Sequence, residues 1–154
     1  ELSSEIELRF QENSNNIFKG IFSSEERFLF SMCNPPFHNS EESAMKGNLR
    51  KTKNLNKSKI KNPNLNFSGQ QSELWCEGGE ISFVSKMIEE SLEFSSQILL
   101  FTCLISKKED LCKLNSLLNK LKAVESKTIE MSQGQKVSRI LAWTFIPRNQ
   151  RKSF

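Results

Sequence analysis

Apolar and polar residues alternate along Ile6-Glu-Leu-Arg-Phe10, and a period of two predicts a strand there. The polar cluster Asn13-Ser-Asn-Asn16 then turns the chain, and residues 16–20 make a short helical turn or connection. Arg27-Phe-Leu-Phe-Ser-Met-Cys33 is a continuous apolar run of strand length, the pattern of a strand covered on both faces of a parallel sheet. It stops at Asn34-Pro-Pro. Proline donates no N–H and disfavours helical geometry in the residue before it, so the chain leaves the sheet extended.

Residues 38–71, rich in Asn, Lys and Ser, form a long loop, a length that within a domain usually signals function or disorder. Helical spacing follows. Ile81, Val84, Ile88, Leu92 and Ser95 fall on one face, Glu89, Glu90 and Glu93 lie outside, and Gly78-Gly79 marks the beginning or a bend. Gln97–Ser106 is a second buried strand, residues 107–110 turn, and Leu111, Leu114, Leu118 and Leu121 line a second helix. Val124–Met131 and Arg139–Ile146 read as strands, and the seven residues between them, with Gly134, return the chain antiparallel. The order is that of the second half of a doubly wound, Rossmann-like α/β domain, a mostly parallel sheet closed by an antiparallel strand pair.

Composition adds limits. With 36% hydrophobic and 26% charged residues the chain can build a core. No apolar run approaches the roughly 18 residues of a membrane helix, and Glu1-Leu-Ser-Ser-Glu-Ile lacks a signal-peptide pattern. Four cysteines form no CxxC pair, and the single His38 cannot complete a metal site, so neither metal nor disulfide is expected. These features suit a cytoplasmic protein. The net charge of +4 is unevenly spread. Ala44–Ser72 has no acidic residue but holds Lys46, Arg50, Lys51, Lys53, Lys57, Lys59 and Lys61, leaving the rest of the chain net acidic. Such a segment suits phosphate contact with RNA, or is a solvated loop.

Asn34-Pro35-Pro36-Phe37 is the candidate chemistry. The exocyclic amine of a base is a poor nucleophile, because its lone pair is delocalised into the ring. Methylating it needs acceptors for both N–H groups and a stacking surface. The Asn34 side-chain oxygen and the Pro35 carbonyl, aimed by the rigid Pro35-Pro36 pair, can accept those protons. Phe37 can stack on an extruded base, worth about 1–3 kcal/mol. The tetrapeptide is otherwise a plain turn with Phe37 in the core. Glu77-Gly-Gly-Glu80 either shapes a pocket floor or starts a helix, and Trp75 is either an RNA-stacking or a core residue.

Met32-Cys-Asn-Pro-Pro-Phe-His38, Leu65-Asn-Phe-Ser-Gly-Gln-Gln-Ser-Glu-Leu-Trp-Cys-Glu-Gly-Gly-Glu80, Met87-Ile-Glu-Glu-Ser91, Gln133-Gly-Gln135 and Ala142-Trp-Thr-Phe145 resemble the bacterial large-subunit rRNA adenine-N6 methyltransferases and their animal U6 snRNA relative. The resemblance covers about Ile6 to Phe154. It implies a class I methyltransferase fold, S-adenosylmethionine as donor, and 23S-type rRNA or a partly assembled large ribosomal subunit as partner. It also places the glycine-rich donor-binding half upstream of Glu1, so residues 1–154 are expected to be a partial domain that does not transfer a methyl group alone. Gly78-Gly79 is no substitute, because it does not follow a strand. Asn34 lies where donor and target meet, and Gln11, Glu12 and Asn13 occupy the turn that touches the donor's adenine in this fold. The alternatives are DNA adenine or protein-glutamine methylation, or a non-catalytic RNA-binding fragment.

Overall fold

The computed structural model describes residues 6–43, 74–133 and 136–154. Four strands, β1 (Phe28–Cys33), β2 (Ile98–Ile105), β3 (Glu125–Gln133) and β4 (Lys136–Thr144), form one mixed sheet in the order β1-β2-β4-β3. β1 runs parallel to β2, and helix α1 (Gly79–Ser91) lies between them in the chain. Helix α2 (Asp110–Lys120) follows β2, and β4 inserts antiparallel between β2 and β3. A 3-10 turn at Arg148–Ser153 ends the chain. This agrees with the half-Rossmann α/β reading. The hairpin is tighter than expected, with register from Glu125↔Thr144 to Gln133↔Lys136 where seven connecting residues were predicted.

The core sits between the sheet and the two helices. Val84, Met87 and Ile88 of α1 and Leu114 and Leu118 of α2 meet Phe101, Cys103 and Ile105 of β2 and Leu141 and Trp143 of β4. Burial of each large side chain contributes about 1.5–3 kcal/mol. Phe101 and Trp143 are cross-strand partners with stacked rings, centroids 5.7 Å apart. The Trp143 indole N–H donates to Ser91 Oγ at 2.9 Å, so this buried donor is satisfied.

Four expectations need correction. Ile6–Phe10 is not a strand: Ile6, Leu8 and Phe10 are exposed, and no strand among the described residues pairs with them. Arg9 instead bridges to Glu7 and Glu26. Helix α1 stops at Ser91, and residues 92–97 form turns through shorter i→i−3 bonds such as Leu92 N–H to the Glu89 carbonyl. Glu90, read as outward, is 8% exposed. β1 was expected to be covered on both faces, yet Leu29, Phe30 and Met32 are exposed, because β1 is the edge strand of the described sheet.

Candidate active site at the carboxyl edge of the sheet

The β1–β2 ladder ends on the rung Cys33↔Cys103, and β2 runs on to Ile105. Asn34-Pro35-Pro36-Phe37 follows directly, without regular structure. Pro35 and Pro36 are buried, Asn34 is exposed and Phe37 is half-buried. Among the described residues Phe37 is also not part of the hydrophobic core cluster, which weighs against the core-residue alternative. The loop is pinned just beyond the motif. His38 N–H donates to the Leu74 carbonyl at 3.2 Å, and Cys76 N–H donates to the His38 carbonyl at 3.1 Å. Together these make an isolated parallel bridge between His38 and Trp75. Trp75 is half-buried there, with its backbone in the bridge.

The start of α1 closes on the same loop. Gly78 and Gly79 have φ of +78° and +67°, a region that L side chains rarely adopt. A Cβ on Gly79 would lie 3.3 Å from the Asn39 Cβ, so the glycine pair lets the helix terminus approach the residue just past the motif. Gly79 N–H donates to the Cys76 carbonyl at 2.9 Å, tightening the entry turn. Glu80 follows in the first helical turn and is 1% exposed. Its carboxylate accepts the Ser106 N–H at 2.5 Å and the Ser106 hydroxyl. The Glu77–Glu80 segment therefore starts the helix, and Glu80 ties that start to the end of β2. The carboxyl ends of β1 and β2, the amino end of α1 and the motif loop thus form one framework.

The second candidate group sits elsewhere. Gln11 Nε2 donates to the Lys19 carbonyl at 2.8 Å, Asn13 N–H to Gln11 Oε1 at 3.0 Å, and Asn16 N–H to the Asn13 carbonyl at 2.8 Å. Glu12 and Asn13 are exposed. This turn hangs on Glu90, whose carboxylate accepts the N–H groups of Ile17 at 2.9 Å, Phe18 at 2.8 Å and Lys19 at 2.7 Å. Glu90 lies ten residues along α1 from Glu80, roughly 15 Å at the helical rise. The turn that carries Gln11, Glu12 and Asn13 is thus anchored at the far end of α1 from the end that closes on the motif loop. The basic residues Lys46, Arg50, Lys51, Lys53, Lys57, Lys59 and Lys61 lie outside the described residues, as do Gly134 and Gln135.

A family described as RNA methyltransferase matches residues 1–147, nearly the whole chain. The chain belongs to this family. Among curated relatives, the ribosomal RNA large subunit methyltransferase F of Flavobacterium psychrophilum is 52% identical over 149 residues, covering 97% of this chain and 48% of that protein. The protein of the same name from Colwellia psychrerythraea is 51% identical, covering 96% of this chain and 50% of that protein. The chain thus spans about half the length of the curated relatives it matches. Among solved structures, the hMettl16 catalytic domain in complex with the MAT2A 3'UTR hairpin 1 is 30% identical, with a TM-score of 0.61 over 82% of this chain and 42% of that one. The fold is therefore that of part of a methyltransferase domain.

Sequence reasoning missed the roles of Glu80 and Glu90. A glutamate on a helix reads as solvent-facing, and the partners that bury these two lie 26 and more than 70 residues away. The available signal was the pair of glycines before Glu80, which announces close backbone approach. Among the described residues no cluster of His, Cys, Asp and Glu could hold a metal ion, and no helix is long and apolar enough to cross a membrane.

Proposed function

We propose that this chain is the base-receiving half of an S-adenosylmethionine-dependent RNA methyltransferase, acting on the N6 amine of an adenine in large-subunit rRNA in the cytoplasm. The observation that carries this reading is the placement of Asn34-Pro35-Pro36-Phe37. The two prolines are buried and stiff, Asn34 is exposed at the carboxyl edge of a parallel strand pair, and Phe37 stands outside the core. In open α/β sheets ligands bind at that edge. The names of the curated relatives supply the rRNA, and the hairpin in the human complex supports an RNA substrate.

The donor, when bound, supplies an electrophilic methyl group. Asn34 accepts a hydrogen bond from one amine N–H through its side-chain oxygen, Pro35 accepts one from the other through its carbonyl, and the excess proton of the methylated amine leaves to water. As the nitrogen becomes tetrahedral, both hydrogen bonds strengthen without a titrating base. Phe37 holds the extruded ring flat. Lys46, Arg50, Lys51, Lys53, Lys57, Lys59 and Lys61 contribute salt-sensitive phosphate contacts. The exposed edge of β1 takes the next strand of a donor-binding half, which completes the domain. Gln11, Glu12 and Asn13 remain the proposed contact to the donor's adenine. Alanine at each position tests this contact through the KM for the donor.

The deciding experiment places the chain in a polypeptide that also carries the donor-binding half and offers rRNA, DNA and protein side by side with labelled donor. Label enters the adenine N6 of rRNA, and Asn34→Ala abolishes transfer while the circular dichroism spectrum stays that of the parent. Wild-type turnover by Asn34→Ala would sink the assignment. Labelling of DNA or glutamine instead would shift the substrate class. Titration of the 154-residue chain alone with S-adenosylmethionine should give no micromolar binding.

A further inference from the structure

We propose that Cys33 and Cys103 are a redox-modification site: a thiol pair that closes to a reversible disulfide beneath the Asn34 motif.

The geometry is specific. The two residues are Cα partners on the last rung of the parallel β1–β2 ladder, so their side chains leave the same face of the sheet side by side. Neighbouring strands lie about 4.8 Å apart, within the span of roughly 4.4–6.8 Å that a disulfide bridges between Cα atoms. Both thiols are free in this structure. Cys103 is 1% exposed, whereas Cys33 is half-buried and open to a small oxidant. The side-by-side thiols interact, and that interaction lowers the Cys33 pKa and favours its thiolate. The same interaction, burial and the nearby Glu80 carboxylate push Cys103 up and keep it protonated. One member of the pair is therefore poised as nucleophile and the other as resolving thiol. Neither remaining cysteine is placed this way: Cys76 sits in the loop before α1, where burial raises its pKa, and Cys112 is exposed on α2.

The oxidant is a hydroperoxide. The Cys33 thiolate attacks a peroxide oxygen, the O–O bond breaks, and sulfenic acid forms as hydroxide leaves and takes up a proton. The Cys103 sulfur then attacks the Cys33 sulfur, the S–O bond breaks, and a second water departs with the Cys103 proton. Two thiols are oxidised by two electrons and one hydrogen peroxide is reduced to two waters. The bond itself does not depend on the function proposed above. Its consequence does: Cys33 immediately precedes Asn34, and the buried Pro35-Pro36 pair leaves little slack to absorb a displacement of Cys33. Closing the disulfide therefore moves the Asn34 acceptor and switches transfer off until a dithiol reopens it.

Peptide mapping tests this without any activity measurement. The chain is treated with hydrogen peroxide, its remaining thiols are alkylated, and it is digested with trypsin. Cys33, Cys103, Cys76 and Cys112 fall in four different peptides, with Cys33 in Phe28–Lys46 and Cys103 in Met87–Lys107. The expected result is these two peptides joined, released by dithiothreitol, with Cys76 and Cys112 alkylated. Alkylation of both Cys33 and Cys103, a link to another cysteine, or sulfinic acid at Cys33 without a link would each overturn the proposal. In Cys103→Ala, dimedone should label Cys33, and its failure to do so would overturn the assignment of Cys33 as the attacking thiol. In the polypeptide with the donor-binding half, peroxide should remove methyl transfer and dithiothreitol restore it. Formation of the link with transfer unchanged would overturn the switch while leaving the methyltransferase reading intact.

Discussion

Replacing Glu90 should loosen the amino-terminal segment more than any other single change on α1. Its carboxylate accepts three consecutive backbone N–H groups, those of Ile17, Phe18 and Lys19. Hydrogen bonds to a charged group are worth about 1.5–3 kcal/mol each, but they are not additive here. Ile17 is only half-buried and Lys19 is exposed, so water can replace their shares. The Phe18 N–H is buried and has no such substitute. The Phe18 ring also packs against Phe94 and Phe101, at centroid distances of 5.9 and 5.6 Å. Glu90→Ala should therefore cost about 3–4 kcal/mol: one buried donor left unpaired, two weakened, and part of the aromatic packing released. Glu90→Gln keeps one oxygen, which can serve Phe18 and Lys19, and turns an NH2 toward Ile17, so about 1–2 kcal/mol is expected. Urea unfolding followed by the fluorescence of buried Trp143 measures both. A Glu90→Ala midpoint equal to wild type would refute the reasoning. Equal losses for Gln and Ala would mean that charge rather than acceptor count holds the turn.

Phe37→Ala should lose about 1–3 kcal/mol of transition-state binding, read as kcat/KM in the active polypeptide, with little change in melting temperature because Phe37 lies outside the core cluster. Gly20→Ala meets no atom within 4 Å and should cost only the left-handed strain, about 1–2 kcal/mol. Gly78→Ala should cost more, since its Cβ would lie 2.6 Å from the Ser82 Cβ, and the order of the two melting temperatures checks this. Hydrogen bonds from Arg148 and then Arg151 hold Glu125 at a pKa of about 2, against an ordinary 4.5. A carboxyl depressed in the fold stabilises above its unfolded pKa, so this contribution should be present above pH 4.5 and fade as pH falls toward 2. Glu125→Gln should lower stability at pH 7 and flatten that acid dependence in melts taken between pH 2 and 6.

The α/β order was legible because period and punctuation agree over most of the chain. The apolar run that ends at Asn34-Pro-Pro and the leucine spacing of α2 each have one structural solution. The motif was legible for a related reason, since two prolines after a strand-length apolar run fix where the chain must leave the sheet. Ile6–Phe10 misled because alternation is necessary for a strand but a ladder partner is also required, and none pairs with it among the described residues. Glu80, Glu90 and the Cys33–Cys103 rung were invisible for a third reason. Local sequence gives each residue's face, but only strand register and helix docking say what stands opposite.

The same distinction gives the exposed edge its meaning. Leu29, Phe30 and Met32 occupy both faces of β1, so no tilt of the strand against α1 and α2 could bury all three. A solvent-facing edge strand is normally blunted with charge or proline, and β1 carries neither between Phe28 and Cys33. A run of this kind belongs to a strand with neighbours on both sides and cover on both faces. That is the position the proposed function gives β1, with a donor-binding half completing the sheet and Asn34 at a seam between two strands rather than at a margin. Pairing along the outer side of β1 would then fix the Asn34 backbone from the flank opposite Cys103. On that proposal the open edge and the placement of the motif have one cause, and a variant such as Phe30→Lys should separate the halves and abolish transfer together.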